Sequence, residues 1–144
     1  MKLGVASDHA GFGLKEEIKD LLEKEGHDVE DFGCYNEESC DYPDFSKKLC
    51  DAILGSVCER GVLVCGSGLG MSYAANRNKG IRAALCVNTE MAKMSRAHND
   101  SNVLVLGARI IEPDDARDIL HAWMQTPFDG GRHLRRIRKI DGLK

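Results

Sequence analysis

No apolar run in these 144 residues reaches the length of a membrane span, and Met1-Lys2 leads straight into a strand-like pattern without a signal-type hydrophobic stretch. The expected location is the cytoplasm, with no membrane partner. An excess of one charge is missing too. A net charge of −3 spreads over 20 basic and 23 acidic residues, which argues against a dedicated nucleic-acid or anionic-membrane binder. Neither a Cys-x-x-Cys pair nor the Cys/His spacing of a zinc site occurs. The six cysteines (Cys34, Cys40, Cys50, Cys58, Cys65, Cys86) sit in a chain large enough to bury a core without a disulfide scaffold. Reduced thiols are expected; Cys34 and Cys40 could in principle bridge, but the reducing compartment implied argues against it. Disorder-prone composition is absent as well, so residues 1–144 are read as one domain.

The most informative stretch runs from Val62 to Asn76. Val62-Leu63-Val64 is a continuous apolar run of the kind that forms a buried parallel strand; Cys65-Gly66-Ser67-Gly68-Leu69-Gly70 is a loop with alternating glycines, and Met71-Ser72-Tyr73-Ala74-Ala75-Asn76 opens a helix. Unpaired N–H groups at a helix start, approached closely across glycines, can hold an oxyanion or phosphate, and the same field favours the thiolate of Cys65 as base or nucleophile. Plain alternatives exist: glycines after a strand often only turn the chain, and a Cys on an apolar strand is commonly inert. Three familiar motifs do not fit. A mononucleotide P-loop needs Lys-Ser or Lys-Thr after its last glycine, where Met71-Ser72 stands; a dinucleotide fingerprint needs its third glycine one position later; a cysteine phosphatase needs Arg at the position of Met71.

Around this stretch strands and helices alternate. Strands are expected at 2–7, 28–33, 62–65, 81–86 and 102–107. Between them Leu14, Ile18, Leu21 and Leu22 mark a helix, with Lys15, Glu16, Glu17 and Lys19 on its solvated side. A second helix follows Pro43, a short third runs to about Asn78, a fourth is capped by Thr89, and a fifth spans Asp114 to Met124. The polar second strand belongs at or near a sheet edge. This alternation predicts an α/β fold, a three-layer αβα Rossmann-like arrangement on a five-stranded parallel sheet. Asp8, His9, Cys65, the glycine loop, Arg109 and His98 are then expected near the carboxyl edge, where such sheets bind ligands. Asp8 could equally be a turn residue and His9 a solvated one; Tyr42 could face a cleft or pack in its turn; His98, beside Asn99 and Asp100, could carry protons or cap a helix. The C-terminal segment, about 130–144, is basic and helical. Arg132 and Arg136 share a face at i,i+4 and suit a phosphate dianion, or form a solvated basic terminus.

Taken together, Ser7-Asp8-His9-Ala10-Gly11, Asp41-Tyr42-Pro43, Cys65 to Gly70 with Ala74-Ala75-Asn76, Gly80-Ile81-Arg82-Ala83, Arg96-Ala97-His98-Asn99-Asp100 and Gly130-Gly131-Arg132-His133 with Arg136 resemble the type B ribose-5-phosphate isomerases and their galactose-6-phosphate isomerase relatives. The likeness runs nearly end to end. It implies interconversion of ribose 5-phosphate and ribulose 5-phosphate through a cis-enediolate, in the pentose phosphate pathway. Cys65 would be the base, and the backbone N–H groups of Gly66, Ser67, Gly68, Leu69 and Gly70 an anion hole. Ser67, where many relatives carry Thr, would hydrogen-bond the sugar; His98 would open the furanose ring; Asp8 would hold sugar hydroxyls or assist that transfer; Asn99 would orient the enediolate. His9, Arg132 and Arg136, with Arg109, would bind the phosphate, and Tyr42 would line the substrate cleft. One branch of the family has a Glu base where Met71 stands, so Cys65 puts this chain with the cysteine branch. The resemblance implies no cofactor and no metal. It also implies a homodimer or homotetramer whose cleft is completed by a second chain, with His98 or Arg109 crossing over. A six-carbon substrate, allose 6-phosphate or galactose 6-phosphate, is the alternative within the class, and a non-catalytic sugar-phosphate-binding module the alternative outside it.

Overall fold

The computed structural model, described over residues 1–143, is a five-stranded all-parallel sheet with helices on both faces. The chain runs β1 (Lys2–Ser7), α1 (Phe12–Lys24), β2 (Asp28–Asp31), α2 (Tyr42–Leu54), β3 (Arg60–Cys65), α3 (Leu69–Ala75), β4 (Ala83–Leu85), α4 (Thr89–Ala97), β5 (Val103–Gly107), α5 (Pro113–Gln125) and α6 (Arg132–Asp141). Strand order is β2-β1-β3-β5-β4, so the polar β2 is indeed an edge. Among the described residues, no helix is long and apolar enough to cross a membrane.

Side-chain alternation splits the core into two layers, as the period-two geometry of strands requires. Val62, Val64, Leu104 and Leu106 face α1, α4 and α5, meeting Ile18, Leu22, Ala92, Ile119 and Trp123. Leu63, Cys65, Val103 and Val105 face α2 and α3, meeting Leu49, Cys50, Met71 and Ala75. Cys65 therefore ends β3 on the face covered by the two helices nearest the glycine loop. Because the chain leaves β1 for β2 on one side and returns to β3 on the other, the carboxyl ends of β1 and β3 lie side by side at the switch point of the sheet. Ligands of open parallel sheets bind just outside that crevice.

Several expectations change in detail. Lys15 does not lie on the solvated side of α1: it is fully buried, its Nζ 2.8 and 2.9 Å from the carboxylate oxygens of Asp31 and bonded to the Cys34 carbonyl. A buried cation is tolerated only with such partners, and this one ties α1 to the exit of β2. β2 stops at Asp31 rather than Gly33, since the Gly33 N–H turns back onto Asp31 Oδ1 (2.9 Å). β4 is shorter than 81–86 because Arg82 and Ala83 donate their N–H groups to the side chains of Asn102 and Asn76. α3 ends at Ala75, and α4 is capped not by Thr89 but by Asn88, whose Oδ1 accepts from Met91 N–H at 2.8 Å. All six cysteines are free, Cys34 and Cys40 included.

Candidate active site at the carboxyl edge

The loop that follows β3 is shaped by its glycines. Gly68 adopts a left-handed φ of +82°, and a Cβ there would stand 2.4 Å from Leu85 Cδ1, so only glycine makes this turn. The turn aims the Gly68 N–H at Cys65 Sγ, 3.2 Å away. Leu69 N–H is taken by Ser67 Oγ at 3.2 Å, which fixes that hydroxyl at the loop's rim. The ring of Tyr42, at the start of α2, lies so close over Gly70 that a Cβ would come within 2.6 Å of it. Tyr42 thus packs on the glycine loop while remaining partly exposed.

Neighbouring segments close around this loop. Asp8 is buried directly after β1; its Oδ1 accepts the Gly11 N–H at 3.0 Å, so one carboxylate oxygen builds the turn into α1. His9 Nδ1 accepts the backbone N–H of Cys40 at 3.2 Å. A backbone amide can only donate, so a neutral His9 carries its proton on Nε2 and presents it as a donor. Arg109, just past β5, donates its N–H to the Gly66 carbonyl at 2.9 Å, and its Nη1 lies 3.3 Å from where a Gly66 Cβ would be. Asp8, His9, Tyr42, Cys65, Ser67, Gly66, Gly68, Leu69, Gly70 and Arg109 therefore form one group at the carboxyl edge.

His98 is not in that group, contrary to the sequence expectation. α4 leaves the carboxyl end of β4 and carries the chain back to the start of β5, so His98, its C-cap, and Asn99 lie at the amino edge. A five-residue strand spans roughly 16 Å at about 3.3 Å per residue. Arg132 and Arg136 on α6 share this edge, exposed, beside His133, whose ring stacks on His98. His98, Asp129 and His133 bring potential ligand atoms within 4.8 Å of one another. Donors sharing a zinc ion at about 2.0–2.2 Å must converge on one point. Imidazoles only 12° from parallel direct their lone pairs side by side, so the cluster is a stacked pair next to a carboxylate.

The sequence profile of the ribose/galactose isomerase family matches residues 3–140. A ribose 5-phosphate isomerase from Thermotoga maritima superimposes with a TM-score of 0.97 at 54% identity, over 99% of this chain and 98% of that one. Ribose-5-phosphate isomerase B of Escherichia coli is 39% identical over 99% of this chain and 96% of its own. D-erythrulose-4-phosphate isomerase of Pectobacterium atrosepticum is 38% identical over 97% and 93%. The chain belongs to the ribose/galactose isomerase family.

Two residues of this isomerase-family chain escaped sequence reasoning as site components. Cys40 orients His9 through its backbone, a contact across 31 residues that no local pattern signals. His133 stands in the Gly130-Gly131-Arg132-His133 motif already singled out, where its spacing to the arginines was the available cue. Burial pushes the thiols of Cys50 and Cys58 upward, and that of Cys86 up to about 11. A folded-state value raised above the ordinary 9 leaves stability intact below pH 9 and removes it as pH rises through 11. For Cys86 the loss is about 2–3 kcal/mol. Urea midpoints in reducing buffer should fall between pH 9 and 11, and Cys86→Ala should flatten part of that slope.

Proposed function

We propose that this chain is an aldose–ketose isomerase interconverting ribose 5-phosphate and ribulose 5-phosphate through a cis-enediolate. The observation that carries the reading is the placement of Cys65 at the sheet's switch point, with an N–H of its own loop on the sulfur and polar groups from β1 and β5 beside it. An aldose–ketose shift needs one base to move a proton between C2 and C1 and donors to stabilise the enediolate oxygens. Cys65 is the base. The glycine loop after β3 and the Ser67 hydroxyl face the reacting oxygens, with the Gly68 and Leu69 N–H groups engaged instead by Cys65 Sγ and Ser67 Oγ, and Asp8 holds sugar hydroxyls. His9 and Arg109 bind the phosphate, joined by Arg132 and Arg136. His98 opens the furanose ring and Asn99 orients the enediolate. The neighbouring carbonyl supplies the C–H acidity, so the step runs on these side chains.

The two groups of residues sit at opposite edges of one sheet, and this supports a site completed by a second copy. Between them runs a groove of about 530 Å³ along the outer side of β4, lined by Leu85, Met91, Met94, Ile140 and Asn99. β4 is an edge strand with one side unpaired. In the two-chain reading His98, Asn99, Arg132 and Arg136 of one subunit face Cys65 of the other, while Arg109 serves its own loop.

The deciding experiment is solvent-deuterium incorporation followed by NMR, with ribose 5-phosphate, allose 6-phosphate, galactose 6-phosphate and D-erythrulose 4-phosphate in parallel. Exchange fastest with ribose 5-phosphate supports the pentose; faster exchange with another sugar reassigns the substrate. Binding without exchange in any of the four would make the protein a non-catalytic module. Arg136→Ala should raise KM for the sugar phosphate and the inhibition constant of inorganic phosphate by about tenfold or more, with kcat less affected.

A further inference from the structure

His98 ends α4 exposed to solvent, and an unrestrained imidazole there would sample several rotamers. Its ring instead lies on His133, with centroids 4.6 Å apart and planes 12° from parallel. The backbone on both sides of the pair is fixed. His98 N–H donates to the Met94 carbonyl at 2.9 Å, Asp129 N–H donates to Ala97 at 3.0 Å, and His133 N–H donates to Gly130 at 3.1 Å. The Asp129 bond ties the turn before α6 to the end of α4, so the two rings meet as parts of one frame.

We propose that His133 is a positioning residue for His98: its ring face fixes the His98 imidazole in the one orientation from which it exchanges a proton with the ring oxygen of a furanose sugar phosphate. The inference rests on the isomerase reading above and extends it to a residue that touches neither phosphate nor reacting carbon. Electrostatics suit the role. Desolvation together with Arg132, His98 and Arg136 lowers the pKa of His133, against the opposing pull of Asp129. The shift favours the neutral form of His133, the form whose ring face suits the stack on His98. A neutral aromatic face attracts a cation laid on it, so His98 keeps its support when it holds the extra proton; a charged neighbour would push it away. During ring opening the ring oxygen gains a proton as the anomeric hydroxyl loses one and the C1–O bond to the ring breaks. No proton is gained or lost overall, and His98 needs only a fixed direction to pass one across.

Only the furanose needs that step. In D-erythrulose 4-phosphate and its aldose the C4 oxygen carries the phosphate and cannot close a furanose, so the same proton shift runs on them without ring opening. His133→Ala is therefore expected to lower kcat/KM for ribose 5-phosphate about tenfold, while kcat/KM for D-erythrulose 4-phosphate stays within about twofold. The inhibition constant of inorganic phosphate should not move. His133→Phe, which restores a flat neutral face without a titrating nitrogen, should recover most of the loss. An equal loss on both sugars, no loss on either, or a Phe variant as impaired as Ala would overturn the assignment while leaving the isomerase reading standing. A wild-type protein inactive on both sugars would remove that reading first, and this inference with it.

Discussion

Cys65→Ala is expected to lower kcat for ribose 5-phosphate by about a thousandfold or more, with KM changed by less than about threefold, in the range lost when a general base is removed from a proton transfer. The asymmetry follows from what the sulfur touches. Cys65 is buried at the end of β3 and held by the Gly68 N–H; in the proposed reaction it meets the substrate at the carbon that loses a proton and contributes little to holding the phosphate. The methyl of alanine leaves the loop in place, since the turn at Gly68 is set by its own left-handed backbone. Cys65→Ser should be nearly as inactive, because a hydroxyl is a far weaker acid than a thiol and is not ionised near neutrality. Alkylation gives an independent check. Iodoacetamide should inactivate the enzyme with one modified cysteine, and a saturating sugar phosphate should slow it. Steady-state kinetics in which Cys65→Ala turns over like the wild type would remove the base assignment.

Much of the sheet was legible because its strands are buried on both faces. Such strands read as apolar runs, and Val62-Leu63-Val64 and Val103 to Leu106 carried the signal without help from their partners. The carboxyl-edge residues were legible for the same reason: a polar residue placed directly after a strand must lie at that edge, whatever the helices do. Asp8, His9, Cys65 and Arg109 all obey that rule. His98 was misplaced because it precedes a strand, and the helix before it had already carried the chain across the sheet. Lys15 shows a second limit. Amphipathic spacing put it outside, and only the carboxylate of Asp31, brought close by the β1–β2 pairing, made its burial affordable. The Thr89 and Asn88 alternatives differ by one residue, within the span over which either side chain could reach a first-turn N–H.

Mixing two dead variants should restore activity. In the two-chain reading, Cys65→Ala and His98→Ala each spoil both sites of a symmetric dimer, since each site takes its sulfur from one subunit and its imidazole from the other. Equal amounts unfolded together and refolded give about half heterodimers, in each of which one of the two sites is intact, so activity should return to about a quarter of wild type. The geometry makes this the expected outcome, because within one chain the length of β5 separates the start of that strand, beside His98, from its end, beside Cys65. A two-fold axis near the unpaired side of β4 would bring the two edges together reciprocally, and the apolar groove containing Leu85, Met91 and Met94 would be covered in the same step. Differently tagged chains and native mass spectrometry would establish that heterodimers formed. With heterodimers present, a mixture as inactive as its parents would mean that Cys65 and His98 do not serve a shared site. Recovery should also scale with the heterodimer fraction as the mixing ratio is varied, peaking at equal amounts. A response that rose monotonically with one variant would instead point to residual turnover in that variant alone.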